Sequence, residues 1–255
     1  MWTSTTGKIS LVGAGPGDPE LLTLKGLRTI KAADVILYDA LINPVLLEHN
    51  TKAAKIFVGK RRGYEHKSQA ETNELLIAYA TQGKHVVRLK GGDPLVFGRA
   101  FEELHTAQLF NIPTEVIPGI SSYAGIAAQH QIPLTQRQEN QSFWVLTGHT
   151  ASGKVSADIA LAAKSSATIV ILMGMRFLAD IVATFAQHKP GDYPVAIVQN
   201  GTTPSTVSLV SQLDQVEAAV AKNQIGNPAV LFFGPNVTAS VTRYQKLLTP
   251  SLCLQ

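Results

Sequence analysis

Short apolar runs alternate with longer stretches of helical periodicity along the first half of the chain. Runs rich in β-branched residues predict five strands, at 9–12, 35–38, 55–58, 85–89 and 114–117. Between the runs, apolar positions recur at helical spacing over residues 21–32, 68–80 and 101–110. Ser68 and Glu71 form a capping-box pair at the start of the second helix. Strands separated by helices predict right-handed βαβ units and a parallel sheet covered on both faces.

The pattern changes after Gly119. A stretch of small residues predicts a helix that joins two halves, and a second α/β series then begins. Its predicted strands are 142–147, 168–173, 195–198 and 229–233, and residues 206–213 alternate as a half-exposed antiparallel strand does. We therefore expect an N-terminal α/β domain at 1–119 with a mainly parallel sheet. A C-terminal α/β domain with a mixed sheet is expected at 120–255, the linker falling within 119–141. A crevice between two such domains is the natural ligand site.

Composition narrows the class of protein. The chain has 255 residues, of which 45% are hydrophobic and 16% charged, so disorder is excluded. The single cysteine, Cys253, excludes a disulfide scaffold and a Cys-rich metal site, and it fits a reducing compartment. The seven histidines show no metal-ligand spacing, so no metal site is expected.

Charge and segment lengths indicate the cellular setting. The N-terminus lacks the basic start and apolar stretch of a secretory signal, and the longest apolar run, 167–175, is far short of the ~20 residues that span a bilayer. We expect a soluble, cytoplasmic protein without a membrane partner. The net charge of +4 favours an anionic partner, which could be nucleic acid, phosphate or a polycarboxylate. Without a long Lys/Arg block, a basic soluble enzyme is the simpler interpretation.

The first motif, V-G-A-G-P-G-D-P at 12–19, directly follows the first strand. It resembles the dinucleotide fingerprint G-x-G-x-x-G, but its third glycine, Gly17, comes one residue early and Asp18 stands in the expected place. Pro16 also removes an N–H from the turn. No Gly-Lys-Ser/Thr follows, so a phosphate-binding P-loop is excluded. The loop suits a less anionic ligand, such as a sulfonium cofactor with adenosyl and amino-acid parts. A tight structural turn is the alternative.

The second motif, R-L-K-G-G-D-P-L-V-F-G-R at 88–99, lies at the C-terminal end of the fourth strand, where open α/β sheets bind ligands. Gly91 and Gly92 permit backbone contact, and Asp93 offers an acceptor for a ribose hydroxyl or an ammonium. A strand-to-helix turn with solvated charges is the alternative for the basic residues, but it leaves two glycines, Asp and Pro in succession unexplained.

Four segments together carry a resemblance to a known family. They are G-A-G-P-G-D-P (13–19), V-G-K-R-x-G (58–63), L-K-G-G-D-P-x-x-F-G-R (89–99) and P-G-I-S-S (118–122). Over about residues 8–233 the chain resembles the uroporphyrinogen III C-methyltransferases, of the class III tetrapyrrole methylase family. G-A-G-P-G-D alone also fits rRNA and diphthamide methyltransferases, whereas the third segment is narrower. The resemblance implies two α/β domains, S-adenosylmethionine in their cleft, S-adenosylhomocysteine as product, and a homodimer.

The resemblance also implies roles for matched positions. Cofactor contacts are expected from Pro16, Gly91, Gly92, Asp93, Val96, Ser121, Ser122, Met173 and Gly201. Met173 has an alternative as core filler, and Gly201 as a turn residue. The implied proton acceptor is Asp39 and the implied donor Lys60. Their alternatives are a helix N-cap for Asp39 and a solvated charge for Lys60.

The implied substrate is a tetrapyrrole with many carboxylates, which Arg and Lys side chains hold well. We expect its rim to include some of Arg61, Arg62, Arg88, Lys90 and Arg99, with Lys67 and His66 as further candidates. The implied reaction adds two methyl groups to uroporphyrinogen III and gives precorrin-2, at the branch towards sirohaem and cobalamin. The chain lacks the N-terminal dehydrogenase and chelatase module of some relatives, so the reaction is expected to stop there.

Two positions depart from the family pattern. Gln136 stands where the family usually has His, and Tyr123 stands where smaller residues are usual. The nearest alternative function is methylation of a later corrin intermediate. An NAD-dependent oxidoreductase and an RNA-binding module are alternatives of other classes. The latter would show strongly salt-dependent RNA affinity and leaves the Gly-Gly-Asp loop unexplained.

Overall fold

The computed structural model describes residues 6–59, 67–150 and 152–238. The chain forms two compact units, one that extends to Ser122 and one that begins at Tyr123. Within the described ranges, no helix is long and apolar enough to cross a membrane.

The first unit is built on a five-stranded sheet in the order β3-β2-β4-β1-β5, and every pairing in it is parallel. Its strands are β1 (Lys8–Gly13), β2 (Val35–Tyr38), β3 (Ala54–Phe57), β4 (His85–Lys90) and β5 (Thr114–Ile117). Its helices are α1 (Leu24–Lys31), α2 (Gln69–Thr81) and α3 (Ala100–Leu109). The predicted parallel sheet is confirmed, and strand boundaries differ from prediction by at most one residue.

Alternation along the strands places apolar side chains on both faces of this sheet. In β2, Val35 and Leu37 join the core under α2 and α3, whereas Ile36 joins the core under α1. The capping box of α2 is confirmed, because the Ser68 hydroxyl accepts from the Glu71 N–H and the Glu71 carboxylate accepts from the Ser68 N–H. The helix predicted at 21–32 is shorter, because a 3₁₀ turn, Pro19–Leu21, precedes α1.

The strand order creates a topological switch between β1 and β4. After β1 the chain crosses through α1 to β2, and after β4 it crosses through α3 to β5 on the opposite side. The helices α1 and α3 pack on opposite faces, so the loops that leave the two neighbouring strands diverge. In open α/β sheets, ligands bind in the crevice that such diverging loops leave at the carboxyl ends of the strands.

The second unit has a mixed five-stranded sheet, in the order β6-β7-β10-β8-β9. Its strands are β6 (Phe143–Thr147), β7 (Thr168–Leu172), β8 (Pro194–Gln199), β9 (Val207–Gln212) and β10 (Ala229–Phe233). Its helices are α4 (Ser122–Gln129), α5 (Asp158–Lys164), α6 (Leu178–Ala186) and α7 (Val216–Lys222). The predicted mixed sheet is confirmed, and β9 pairs antiparallel with β8 as its alternating pattern indicated.

Candidate active site

The loops that follow β1 and β4 are bonded to each other at the switch point. The Ala14 N–H donates to the Lys90 carbonyl (2.7 Å), and Gly15 and Gly92 exchange N–H···O bonds of 3.3 and 2.7 Å. Gly15 and Gly92 have φ values of +78° and +66°, which residues other than glycine rarely adopt. Both glycine motifs of the sequence therefore belong to one structure.

A third loop, after β5, packs against the same place through Gly119. A Cβ on Gly119 would lie 2.3 Å from the Gly92 carbonyl oxygen, and a Cβ on Gly13 would lie 2.5 Å from the Gly119 nitrogen. Only glycine allows this approach at either position. Gly119 was not among the predicted site residues, although the P-G-I-S-S segment contains it.

Asp93 ties the second and third loops together. Its Oδ1 accepts from the Leu95 N–H at 2.8 Å, and its Oδ2 accepts from the Gly119 N–H at 3.1 Å. A carboxylate has about four acceptor positions, so Asp93 keeps capacity for a ligand hydroxyl or ammonium. It is thus both a loop clamp and an available acceptor.

The other predicted cofactor residues of the first unit surround this centre. Pro16 is half-buried between Gly15 and Gly17, and the Val96 N–H donates to the Asp93 carbonyl at 3.2 Å. Ser121 is buried and Ser122 begins α4; the open side of Gly92 faces both, at 3.6 Å and 3.7 Å from a built Cβ. The structure thus brings the predicted residues of the first unit to one edge of the sheet.

Asp39 follows β2 at the same edge and is paired with Arg88. The Arg88 Nη2 lies 2.6 Å from the Asp39 Oδ1, and the Asp39 side chain is 28% exposed. The N-cap alternative does not hold, because the 3₁₀ helix that follows, Pro44–His49, is capped by Asn43. Asp39 is therefore a partly exposed carboxylate that an arginine holds from the buried side.

Behind Arg88 lies a buried carboxylate that sequence reasoning missed as a site residue. The Glu103 side chain is fully buried and accepts from the Arg88 Nε (3.0 Å), from the Lys90 Nζ (3.0 Å to each oxygen) and from the Gln69 Nε2 (3.3 Å). A sequence signal was present: Glu103 shares with Ala100 and Ala107 the buried stripe of α3.

This placement corrects the expectation that Arg88 and Lys90 belong to an open substrate rim. Both lie within β4, and both are buried. Their side chains point to the face of the sheet that α3 covers, whereas Val87 and Leu89 point to the opposite face. Burial opposes the charge on Arg88, but Asp39 and Glu103 outweigh it and raise the Arg88 pKa above its ordinary value. Burial, together with the Arg88 charge, lowers the pKa of Lys90 against the pull of Glu103.

Of the remaining predicted cations, Arg99 is at the surface. It has a φ of +55° at the start of α3, and its Nε and Nη2 each donate to Glu102 at 2.7 Å. The Glu102 pKa is lowered chiefly by that hydrogen bond. Lys60, Arg61, Arg62 and His66 lie outside the described residues.

Two of the predicted cofactor residues, Met173 and Gly201, lie in the second unit. Met173 follows β7, is 44% exposed and has a φ of +57°, while its carbonyl lies 3.3 Å from the His149 Nδ1. Its exposure argues against the core-filler alternative, and positive φ at a non-glycine residue is a reason to suspect function. Gly201 is buried, and a Cβ there would lie 2.3 Å from Cγ1 of Ile126 in α4. Its packing alone requires glycine.

The two departures from the family pattern also have structural places. Tyr123 packs its ring on that of Phe143, with 6.0 Å between centroids. Gln136 forms a bridge with Asn140 in a tight turn. Within residues 6–59, 67–150 and 152–238, no group of three His, Cys, Asp or Glu side chains is placed to hold a metal ion.

The edge of the first sheet fits a ligand with adenosyl and amino-acid parts. Segments 13–17 and 91–96 contain no cation, and the Asp18 carboxylate is occupied in accepting from the Glu20 N–H at 2.9 Å. Exposed apolar side chains lie beside the glycine backbone: Leu41 adjoins Gly91, and Phe97 follows in the same loop. Backbone groups beside apolar side chains suit an adenine and a ribose better than a pyrophosphate.

Comparison with known proteins decides the family. Residues 8–217 match the model of the tetrapyrrole (corrin/porphyrin) methylases. The chain belongs to this family. The resemblance inferred from its four segments is thereby confirmed.

Two curated relatives illustrate the kinds of protein that are similar to this chain. An enzyme of Methanocaldococcus jannaschii named uroporphyrinogen-III C-methyltransferase is 45% identical over 90% of this chain and 96% of its own length. A siroheme synthase of Actinobacillus pleuropneumoniae is 46% identical over 89% of this chain, but over only 47% of its own. The chain thus spans about half the length of the siroheme synthases it matches.

Solved structures agree with the fold. Uroporphyrin-III C-methyl transferase from Thermus thermophilus, in complex with S-adenyl homocysteine, has a TM-score of 0.79 and 35% identity, covering 91% of this chain and all of that one. A cobalt precorrin-4 methyltransferase has a TM-score of 0.81 at 25% identity, covering 90% of this chain and 95% of that one. Both neighbours are methyltransferases of tetrapyrrole metabolism.

Proposed function

We propose that this chain is an S-adenosylmethionine-dependent methyltransferase that adds two methyl groups to uroporphyrinogen III and gives precorrin-2. One observation carries the proposal: the archaeal uroporphyrinogen-III C-methyltransferase matches nearly end to end, at 45% identity. The product would feed sirohaem and cobalamin synthesis. The names of the siroheme synthases that are 46% identical to this chain support that placement.

In this proposal the first unit holds the methyl donor through Pro16, Gly91–Asp93, Val96, Ser121 and Ser122, and Met173 and Gly201 add contacts from the second. Gly15 and Gly92 have left-handed backbone and no side chain, so a ligand can approach their loops closely. The spare acceptor capacity of Asp93 suits a ribose hydroxyl or the donor's ammonium. The expected crevice between the two units stays a prediction.

The donor supplies an electrophilic methyl, which a ring carbon takes with its own electron pair while the carbon–sulfur pair returns to sulfur, leaving a ring that must lose a proton. Asp39 is the proposed acceptor of that proton. Its Oδ1 is held by Arg88, and its side chain is partly exposed at the sheet edge, as a general base requires. Lys60 is the proposed proton donor.

The substrate's carboxylates are proposed to meet Arg61, Arg62 and Arg99. Arg99 is exposed, although its guanidinium already makes two bonds to Glu102. Arg88 and Lys90 are left out, because their charges are neutralised inside the sheet. A cytoplasmic homodimer that binds neither nucleic acid nor membrane completes the proposal, and it rests on the family resemblance alone.

The test is direct. Purified protein is incubated anaerobically with uroporphyrinogen III and S-adenosylmethionine, and the product is analysed by mass spectrometry. A mass gain of two methyl groups, absent when S-adenosylhomocysteine replaces the donor, is the expected result. No gain would overturn the proposal, as would calorimetry in which NAD binds tightly and S-adenosylhomocysteine does not.

A second candidate function has one observation in its favour. The cobalt precorrin-4 methyltransferase is as similar in fold as the Thermus enzyme, although less similar in sequence. Methylation of a later precorrin, with no reaction on uroporphyrinogen III, would favour this candidate.

A further inference from the structure

The proposed proton acceptor and the three charges beneath it form one charge-balanced set. Arg88 and Lys90 come from β4, Glu103 from α3 and Asp39 from the end of β2, so two cations balance two carboxylates. Three of the four side chains are at most 5% exposed, and only Asp39 reaches solvent. Charges buried so deeply persist only when they are paired and hydrogen-bonded.

Arg88 is oriented by its partners on the buried side. Its Nε donates to Glu103 at 3.0 Å, its Nη1 lies 3.2 Å from the Leu89 carbonyl, and its Nη2 donates to Asp39 at 2.6 Å. The guanidinium is planar and rigid, so an anchor at Nε fixes the direction in which Nη2 points. The Glu103 contact therefore determines where Asp39 is held.

One carboxylate oxygen of Asp39 has no hydrogen-bond partner among the residues that the structure describes. Among the described residues, the structure gives Oδ1 the bond to Arg88 and gives Oδ2 no hydrogen-bond partner. A bond to one oxygen fixes the carboxylate plane and leaves the other oxygen available to accept a proton. Lys90 satisfies the remaining face of Glu103, and Gly98 leaves room over the Lys90 stem.

We propose that Glu103 is a positioning residue for the methyl-transfer reaction: through Arg88 it holds Asp39 in the orientation that accepts the substrate's proton. This inference rests on the proposed function. The Glu103 side chain is fully buried, so it has no surface on which to contact a ligand. Its effect must therefore appear in turnover rather than in binding of the methyl donor.

The test compares two charge-balanced variants that differ in a single acceptor. Lys90→Met with Glu103→Leu removes one cation and one anion and leaves the Arg88 Nε without an acceptor. Lys90→Met with Glu103→Gln removes the same charges but keeps an amide oxygen for that N–H. We expect kcat to fall about tenfold in the first and to stay within about threefold of wild type in the second. Affinity for S-adenosylhomocysteine, measured by calorimetry, should be equal in both.

Asp39→Asn, combined with each double variant, tests whether Glu103 acts through Asp39. With Asn at position 39, the Leu and Gln variants should turn over equally, because the group being positioned is gone. A tenfold difference that persists in that background would overturn the inference. So would equal kcat in the two variants, or a loss of cofactor affinity that accounts for the fall. Glu115→Gln, which removes a surface ion pair with Lys25, is the control with unchanged activity.

A readout without substrate separates this inference from the proposed function. In ¹⁵N-arginine NMR, assigned with Arg88→Lys, the Arg88 Nε–H signal should be slow to exchange in wild type and in the Gln variant, and lost in the Leu variant. Identical signals in both variants would overturn the inference even if methyl transfer is normal. If the wild-type protein transfers no methyl group, the proposed function fails, and the inference fails with it even where the NMR result is as expected.

Discussion

The central strands of the two sheets are both buried, but one contains only apolar side chains and the other also contains charged ones. Strand β10, in the second unit, is buried along its whole length and contains only apolar side chains. Strand β4, in the first unit, is equally central, yet two of its six residues are Arg88 and Lys90. The apolar strand needs no partners, whereas the charged strand requires Glu103 from a neighbouring helix.

The difference teaches where this fold places its chemistry. Replacing buried ion pairs by apolar residues is often neutral or stabilising, so stability alone does not explain the charges of β4. The charges of β4 contact Asp39 through Arg88, at the sheet edge beside the glycine loops. In the second sheet, the central strand is apolar to its end, and positive φ is found at Met173 and Asn200, which directly follow β7 and β8.

The largest effect that follows from this contrast is on stability. Phe233→Ala, in β10, removes a ring that stacks on Phe185 with 4.2 Å between centroids. We expect the free energy of unfolding to fall by about 3–5 kcal/mol, because a fully buried aromatic leaves a cavity. Urea unfolding followed by circular dichroism measures it, with exposed Leu161→Ala as the matched control. A loss below about 1 kcal/mol would contradict the view of β10 as an apolar centre.

The next effect concerns ligand binding in the first unit. Asp93→Ala removes the acceptor that clamps the Gly119 loop, together with the proposed contact to the methyl donor. We expect S-adenosylhomocysteine affinity to weaken by about 1–3 kcal/mol, the usual cost of a lost charged hydrogen bond. Isothermal titration calorimetry measures it. Asp158→Ala, at the start of α5 in the second unit, should leave the affinity unaltered; unchanged affinity in both would exclude Asp93 from the site.

Much of the first sheet could be predicted because its strands are short, rich in apolar and β-branched residues, and several of them end at a glycine or a proline. Strands β2 and β5 have the predicted limits, since each is a short run rich in β-branched residues, flanked by aspartates in β2 and by prolines in β5. The glycine motifs could also be found, because positive φ and close approach allow few other residues. Because both motifs follow strands of one parallel sheet, their position at the same edge of that sheet could be predicted too.

The burial of Arg88 and Lys90 could not be foreseen in the same way. At the end of a strand a cation is usually solvated, and only the partner on α3 makes burial tolerable. That partner, Glu103, lies 13 residues beyond Lys90 in the chain, and its adjacent Glu102 bonds Arg99 at the surface instead. Which of two neighbouring glutamates turns inward depends on the helix phase, which the Ala100 and Ala107 positions fix.

The smallest expected effect is on the pH dependence of stability, and it concerns the N-terminal end of β4. His85 begins the strand, where its Nε2 lies 2.9 Å from the Ser10 hydroxyl and its Nδ1 lies 3.1 Å from the Ala32 carbonyl. Burial lowers the His85 pKa, and Lys8 adds to it, while the Ala32 bond and the charges of Asp34 and Glu115 oppose it. The folded protein therefore binds this proton less readily than the unfolded chain.

It follows that the His85 contribution to stability is complete above the ordinary pKa of about 6.5 and is lost as the pH falls through the lowered value. Between pH 7.5 and 5.5, we expect the wild-type Tm to fall by about 1–2 °C more than the Tm of His85→Gln. Differential scanning calorimetry measures both, and His188→Gln, which alters an exposed ring on the second unit, should follow the wild type. Parallel Tm profiles for wild type and His85→Gln would mean that β4 is sensitive to charge only at its C-terminal end, where Arg88 and Lys90 lie.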